Sequence, residues 1–254
     1  MPSLTDRNFD PLVEKFEQRI YGSFKGQLRL ALLKEDLAPL RDGPPLTVWD
    51  AGCGLGQMSV WFAEAGHTLT ACDISEKMLE RTRAELDARG LRATLRHCPA
   101  QQLAAELPQQ DLVLFHAVIE WLAHPLETLA QVADRVRPGG HLSLLFYNHH
   151  SLVYRNLLRG GWRLRYVLEE KWLGRGRKLT PPHPQKPEIL RGWLKEHGFE
   201  PVTQTGIRVF HDYMPEEARA ATDLAELEQV ERKYCREPVF RDMGTYIHLL
   251  AKRV

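Results

Sequence analysis

The sequence predicts an α/β fold, a mostly parallel sheet with helices on both faces. Three observations carry that expectation. An apolar run, Val48-Trp49-Asp50-Ala51, enters glycines at alternate positions, Gly52, Gly54 and Gly56, and then a helical segment. Strand-like and helix-like segments alternate between residues 46 and 150. The fourth strand-like segment, Asp111-Leu112-Val113-Leu114-Phe115-His116, is nearly all apolar, as a strand buried on both faces should be. Alternation of this kind gives parallel pairing, with ligands bound outside the carboxyl ends of the strands.

The glycine turn comes first. Glycines at 52, 54 and 56 permit tight or positive-φ backbone and close approach of a ligand, and free N–H groups at the start of the following helix would point at it. A dinucleotide fingerprint needs two residues before its third glycine, whereas here the pattern is Gly-x-Gly-x-Gly. The preceding Asp50 is awkward beside a pyrophosphate but suits an ammonium group, so the turn fits S-adenosylmethionine better.

Thr68-Leu69-Thr70-Ala71-Cys72 forms the second strand and ends at Asp73, within the interval after the turn expected for a carboxylate that accepts from ribose hydroxyls. Ser75 caps a helix from Glu76 to about Arg89. Ala93 to Cys98 is a third strand, followed by Pro99-Ala100-Gln101. Arg137-Pro138-Gly139-Gly140 breaks the preceding helix, and His141 to Tyr147 supplies a fifth strand. Gly52, Asp73, Ala100, Gln101 and His116 are thereby expected along one crevice. A capping role for Asp73 and a purely structural role for His116 are the competing readings. Further on, a charged helix runs from about Glu216 to Tyr234 and a last strand from Tyr246 to Ala251.

Length and composition bound the rest. The 254 residues, 43% hydrophobic and 26% charged, suffice for one domain with insertions. The expected divisions are an N-terminal cap (1–45), a cofactor-binding core (46–150), a basic insertion (151–192) and a C-terminal part of the sheet (193–254). No stretch approaches the roughly 20 apolar residues of a membrane span, and the polar N-terminus lacks a signal-peptide core. The expected location is the cytoplasm. Cys53, Cys72, Cys98 and Cys235 sit singly, without the spacing of a zinc or redox motif, and are read as reduced thiols. His149, His150 and His183 likewise lack spaced partners, so no metal is expected.

A net charge of +1 hides an uneven distribution. Between Ser151 and Arg191 ten lysines and arginines face three glutamates, leaving +7 in this segment and −6 elsewhere. Arg155, Arg159, Arg163, Arg165, Lys171, Arg175, Arg177 and Lys178 alternate with Tyr154, Trp162, Tyr166 and Trp172. Basic groups attract phosphates and aromatic faces stack exposed bases, a combination suited to RNA loops. The competing reading is an amphipathic helix that packs Val153, Leu157, Leu158 and Trp162 on the domain and leaves its arginines solvated.

Two further segments are too polar and aromatic for their setting. Ile20 to Arg29 lies before the first strand and can cover the crevice. In Gly206 to Tyr213, strand alternation puts Ile207, Val209 and His211 on one face and Arg208, Phe210 and Asp212 on the other. Arg208 beside His211 could seat an anionic acceptor, or pair structurally with Asp212.

The ordered set Asp6-Arg7-Asn8-Phe9-Asp10, Ile20-Tyr21-Gly22 with Lys25-Gly26-Gln27-Leu28-Arg29, Asp50-Ala51-Gly52, Phe115-His116-Ala117-Val118-Ile119-Glu120-Trp121, Phe146-Tyr147-Asn148, Arg208 to Tyr213 and Tyr246-Ile247-His248 resembles the bacterial tRNA 5-carboxymethoxyuridine methyltransferases. The resemblance spans almost the whole chain. It implies a Rossmann-like class I methyltransferase fold with an N-terminal helical cap and a basic helical insertion after strand 5. The implied reaction is methyl esterification of the carboxylate of 5-carboxymethoxyuridine at the wobble position of tRNA, with S-adenosylmethionine as donor and the tRNA anticodon loop as partner. Cofactor contacts fall, on that resemblance, on Arg29, Gly52, Cys53, Asp73, Ala100, Gln101 and His116. Arg29 would take the methionine carboxylate, Gly52 and Cys53 the methionyl moiety, Asp73 the ribose, and Ala100 with Gln101 the adenine. Where the family carries a lysine-rich run this chain has Gly174-Arg175-Gly176-Arg177-Lys178, so individual RNA contacts do not carry over.

A sulfonium is an activated methyl donor and an ionised carboxylate needs no base, so the chemistry asks mainly for alignment. No single residue is required as a catalyst; Tyr21, Lys25, Tyr147, Arg208 and His211 are the candidates for placing the acceptor. Two rivals stand beside this reading. A small-molecule O-methyltransferase would need an apolar substrate pocket and a general base such as His149 or His211, against which the +7 segment argues. A non-catalytic RNA-binding protein would be expected to degrade the turn or lose Asp73, and both are intact.

Overall fold

Seven strands form one sheet in the order β3-β2-β1-β4-β5-β7-β6 in the computed structural model, which describes residues 5–16, 22–170 and 180–254. Their ranges are β1 Thr47–Ala51, β2 Thr68–Asp73, β3 Thr94–His97, β4 Gln110–His116, β5 Val136–Tyr147, β6 Phe199–Ile207 and β7 Tyr246–Arg253. The first five are mutually parallel, and β7 inserts antiparallel between β5 and β6. The helices are α1 Val13–Phe16, α2 Phe24–Arg41, α3 Gln57–Ala63, α4 Glu76–Ala88, α5 Ala100–Glu106, α6 Pro125–Ala133, α7 His149–Arg159, α8 Arg163–Leu168, α9 Pro187–Glu196, α10 Glu216–Ala221, α11 Leu224–Tyr234 and α12 Pro238–Arg241.

Strand alternation divides the core into two layers. Trp49, Val113, Phe115, Leu142, Leu144 and Phe146 face one side, where Leu103, Leu129 and Leu190 of α5, α6 and α9 cover them. Val48, Leu112 and Leu114 face the other, under Val60 and Phe62 of α3 and Leu37 of α2. The double coverage accounts for the apolar run in β4 and places the carboxyl ends of β1, β2, β4 and β5 at one edge. Ser75 caps α4 as expected, its hydroxyl accepting the Met78 N–H.

Four expectations from the sequence need correction. Arg137 to Gly140 does not separate a helix from β5: the strand begins at Val136, and these residues bulge out where Gln110 pairs with Val136 and Leu112 with His141. Glu216 to Tyr234 is two helices, because Asp223 takes the N–H groups of Ala225 and Glu226 and caps a new start. The competing reading of the basic segment, an apolar face packed on the domain, holds only for the start of α7: Leu152 is buried and Val153 half-buried, but Leu157, Leu158 and Trp162 are exposed. Finally, β6 stops at Ile207, so the alternation read across Arg208 to Asp212 does not exist. Arg208 has φ +60°, and the chain turns there.

That turn is held from a distance. The buried Glu231 carboxylate of α11 accepts three consecutive backbone N–H groups, from Val209 at 2.7 Å, Phe210 at 3.0 Å and His211 at 2.8 Å. Replacing it leaves three donors with no acceptor in a closed environment. Glu231→Ala is expected to cost about 2 to 4 kcal/mol in chemical denaturation, more than a typical single hydrogen bond. A loss under about 0.5 kcal/mol would mean that the turn stands without it.

Candidate active site

The turn after β1 takes the geometry its glycines allow. Gly52, Gly54 and Gly56 have φ of +86°, +56° and +73°. A Cβ on Gly52 would lie 2.4 Å from Val118 Cγ2, and one on Gly56 would lie 2.5 Å from Thr82 Cγ2. The amides of the turn itself are spent internally, whereas the N–H groups expected from sequence to face a ligand are those at the start of α3. Gly52 and Cys53 both donate to the Cys72 carbonyl at 2.9 Å, Gly54 donates to Asp73 Oδ2 at 2.9 Å, and Gly56 donates to the Cys53 carbonyl at 3.0 Å. A turn whose donors are spent internally offers shape and nearby carboxylates, which suits a cation and not a phosphate.

One crevice is lined by Arg29, Gly52, Cys53, Asp73, Ala100, Gln101 and His116 together. Asp73 accepts from Gly54 N–H and, through Oδ1, from Ser75 N–H at 2.8 Å. A carboxylate has about four lone-pair sites, so capacity remains for ribose hydroxyls. Burial raises its pKa above the ordinary carboxylate value despite those two donors. Asp50, also in the crevice, accepts from Ser59 Oγ at 2.6 Å and is pushed up to about 6 by burial, with the Asp73 charge adding to the shift. Gln101 donates from Nε2 to Asp6 at 2.8 Å, while its buried Oε1 has no partner. Ala100 opens α5, where a first-turn N–H has no intrahelical acceptor. An orphaned acceptor beside an unspent donor is what an adenine edge requires.

The N-terminal segment closes this end of the crevice through residues to which the sequence assigned no individual contact. Asp6 accepts from Ala123 N–H at 2.9 Å as well as from Gln101, Arg7 lies over Trp121 at 5.1 Å, and Asn8 donates to the Ile74 carbonyl at 3.0 Å. These residues stood in the Asp-Arg-Asn-Phe-Asp block, but nothing in their spacing signalled a ligand.

Lys25, Tyr147, Arg208 and His211 do not line that crevice; they meet beside it. Asp212 is the centre, its side chain 3% exposed. It pairs with Lys25 Nζ at 2.8 Å, Arg208 Nε at 3.0 Å and Arg155 Nη1 at 3.5 Å, contacts His211 Nδ1 at 3.0 Å, and accepts from Thr245 Oγ1 at 2.8 Å. Burial opposes its charge, but Arg208 and the other donors prevail and hold it well below the ordinary range. Arg155 also engages the Tyr147 hydroxyl. Tyr246 joins the two regions, with Arg29 over its ring at 5.6 Å, Arg208 at 5.3 Å and Tyr147 edge-on at 5.2 Å. Three cations against the Asp212 and Glu231 carboxylates leave a net positive site. The pairing of Arg208 with Asp212 is the structural alternative read from the sequence, whereas Arg155 was missed as a member and only its contacts reveal it. Tyr21, and Lys171 to Lys178 of the basic segment, lie outside the described residues. Among the described residues no group of three His, Cys, Asp or Glu could hold a metal, and no helix is long and apolar enough to cross a membrane.

Glu120 follows β4 and is fully buried, and neither carboxyl oxygen has a hydrogen-bond partner. Burial pushes it up to about 8, so at neutral pH it is protonated and does not cancel the nearby Arg29 charge. In the unfolded chain it ionises near 4.5. Its contribution to stability is therefore whole below that value and is lost as pH rises through about 8. Glu120→Gln should flatten the loss in a pH series of thermal unfolding and exceed the parent by roughly 2 to 4 kcal/mol at the alkaline end. Parallel curves for the two proteins would show that the carboxyl does not titrate on unfolding.

Comparison with known proteins gives the family and the fold. A family model described as "Methyltransferase domain" matches residues 49–144. The tRNA 5-carboxymethoxyuridine methyltransferase of Escherichia coli (strain K12) is 40% identical over 256 residues, covering 98% of this chain and 97% of that protein. The ubiquinone biosynthesis O-methyltransferase of Dinoroseobacter shibae is 31% identical over 184 residues, covering 71% and 70%. The crystal structure of magnesium protoporphyrin IX methyltransferase from Synechocystis PCC 6803 with bound SAH superposes with a TM-score of 0.62 at 20% identity, over 97% and 96% of the two chains, and shares the fold. With the seven-stranded sheet, the glycine turn and near-complete coverage by a 40% identical relative, the chain belongs to the tRNA 5-carboxymethoxyuridine methyltransferase family.

Proposed function

We propose that this chain transfers the methyl group of S-adenosylmethionine to the carboxylate of 5-carboxymethoxyuridine at the wobble position of tRNA, giving the methyl ester. The observation that carries this reading is the net positive cluster of Lys25, Arg155 and Arg208 on Asp212, which Tyr246 joins to the cofactor crevice. An anionic acceptor is attracted to such a site, where a neutral phenol would gain little.

Bound S-adenosylmethionine supplies a methyl group already activated on a sulfonium. The chain's own work is placement. Arg29 holds the methionine carboxylate, Gly52 and Cys53 border the methionyl moiety, Asp50 faces its ammonium, Asp73 takes the ribose hydroxyls, and Ala100 with Gln101 take the adenine edge. Lys25, Arg208 and His211, with Tyr147 through Arg155, orient the acceptor carboxylate for in-line attack, and Tyr21 is proposed beside them from sequence. Alignment of this kind supplies several kcal/mol of the barrier without an acid or base.

The tRNA approaches over α7 and α8, which leave the sheet at the carboxyl end of β5. Tyr154, Leu157, Leu158, Trp162 and Leu168 are exposed there beside Arg159 and Arg163, and Arg163 lies over the Trp162 ring at 4.6 Å. Exposed aromatics interleaved with cations suit the unstacked bases and phosphates of an anticodon loop.

Cofactor binding is tested first. Asp73→Ala should weaken S-adenosylmethionine by about 1 to 3 kcal/mol in calorimetry without RNA. Equal affinity in mutant and parent removes Asp73 from the site. The reaction is tested on tRNA bearing the carboxylate: nucleoside mass spectrometry should show gain of one methyl group that mild alkali removes as an ester. A nucleophile with a pKa near 4 is ionised throughout, so single-turnover rates should be nearly flat between about pH 6 and 8.5. Arg208→Gln should lower them by about 10- to 100-fold at every pH. The rival reading draws on His211, whose Nδ1 contact with Asp212 would orient a general base. A parent rate that climbs about tenfold per pH unit below 7.5, and loses that slope in His211→Ala, would favour base-assisted methylation of a neutral oxygen.

A further inference from the structure

A line of hydrogen bonds leaves the crevice and crosses the sheet. His116 Nε2 lies 2.7 Å from Ser143 Oγ, and the same oxygen lies 2.8 Å from His248 Nε2. His248 Nδ1 is 2.7 Å from Asp36 Oδ2, and Asp36 Oδ1 accepts from Arg236 Nη2 at 2.6 Å. The strands make this line possible. His116 on β4 and His248 on β7 both pair with Leu145 of β5, and Ser143 lies two residues earlier on the same face. Asp36 comes down from α2. Ser143, His248 and Asp36 are buried, and Arg236 is half-exposed at the far end.

The polarity of the line follows from its anchored end. Burial would raise the Asp36 carboxyl, but the His248 and Arg236 hydrogen bonds outweigh that and hold it below its ordinary value. It is a carboxylate and only accepts. His248 Nδ1 therefore carries a proton. Arg236 already supplies Asp36 with a cation, so a second charge on His248 would be uncompensated in the sheet core. A singly protonated His248 has a bare Nε2, which takes the Ser143 hydroxyl proton, and the Ser143 oxygen is left to accept from His116 Nε2–H. The remaining nitrogen of His116, Nδ1, then has no proton and serves the crevice that the ring lines.

We infer that Asp36, His248 and Ser143 are positioning residues that fix His116 in the tautomer with a bare Nδ1, and that this nitrogen accepts an N–H of the cofactor's methionyl ammonium. The inference rests on the crevice being the cofactor site with Arg29 at its amino-acid end. An ammonium is the donor nearest a carboxylate bound there, and a ring N–H in the same place would repel it. Burial first, with the Arg29 charge adding to it, depresses the His116 ring well below the ordinary histidine range, so it stays neutral and able to accept.

Histidine-selective 15N labelling tests this directly. Long-range N–H correlation spectra of the unmutated protein at neutral pH, with His116 signals identified by their loss in His116→Gln, should show the Nε2–H tautomer. Ser143→Ala should give a mixture. In calorimetry, Ser143→Ala should weaken S-adenosylhomocysteine by about 5- to 20-fold and leave its desamino analogue within about twofold, since only the former carries the ammonium. An Nδ1–H tautomer in the unmutated protein, or equal losses for the two ligands, overturns the relay. Unchanged S-adenosylhomocysteine affinity in His116→Gln removes the cofactor reading at this residue, and the inference with it.

Discussion

The Asp212 carboxylate ties together parts of the chain that sequence keeps far apart. Lys25 comes from the first turn of α2, Arg155 from α7, Arg208 and His211 from the turn after β6, and Thr245 from the approach to β7. A buried anion is costly unless its lone pairs and its charge are both met, and here several donors share the task. The converse also holds. Lys25, Arg155 and Arg208 would repel one another at this distance without the anion among them, so Asp212 sets where they stand while leaving an excess of positive charge for an acceptor.

Carboxyl groups in and around the crevice are driven in opposite directions by their surroundings. Asp212, met by cations, is held low, whereas Asp50, Asp73 and Glu120 are raised by burial without a cation of comparable closeness. The difference has a use. Asp50 near 6 is a group whose missing partner is a cation, and an ammonium placed beside it would restore its charge. Glu120, kept protonated, leaves the Arg29 guanidinium as a positive centre. The crevice therefore carries a cation, Arg29, and two acids raised by burial, Asp50 and Asp73, along one lining, which is the complement of an amino-acid end carrying both charges.

The cofactor half was legible in the sequence because its signals are local. A glycine turn, the acid after the second strand, and the segment after the third lie within a single strand-helix-strand progression, and periodicity alone orders them. The acceptor half was not, since its geometry is decided by pairings between distant residues. Arg208 to Asp212 alternates like a strand, yet Glu231 captures three successive amides 20 to 22 positions away and bends the chain. Arg155 reads as one more solvated arginine, and only the position of Asp212 turns it inward. The insertion of β7 between β5 and β6 is equally silent in sequence, although it is what brings His248 beside Ser143 and Tyr246 beside Tyr147.

Tyr246 is where the two halves become one site. It begins β7, its ring carries Arg29 at one contact and Arg208 at another, and Tyr147 from the end of β5 fixes it edge-on. Burial first, with the Glu120 and Tyr147 groups adding to it and the arginines opposing it, pushes its phenol up to about 12, so the hydroxyl keeps its proton and remains a donor. An in-line displacement depends on the distance and angle between a methyl donor and its acceptor far more than on any acid or base. On the proposed reading those quantities would be set across one ring, braced on the cofactor side by α2 and on the acceptor side by the turn that Glu231 holds. The same strand delivers His248 two residues later. Register along β7 therefore couples the cofactor relay, the separating ring and the acceptor cluster, and a shift there would disturb all three together.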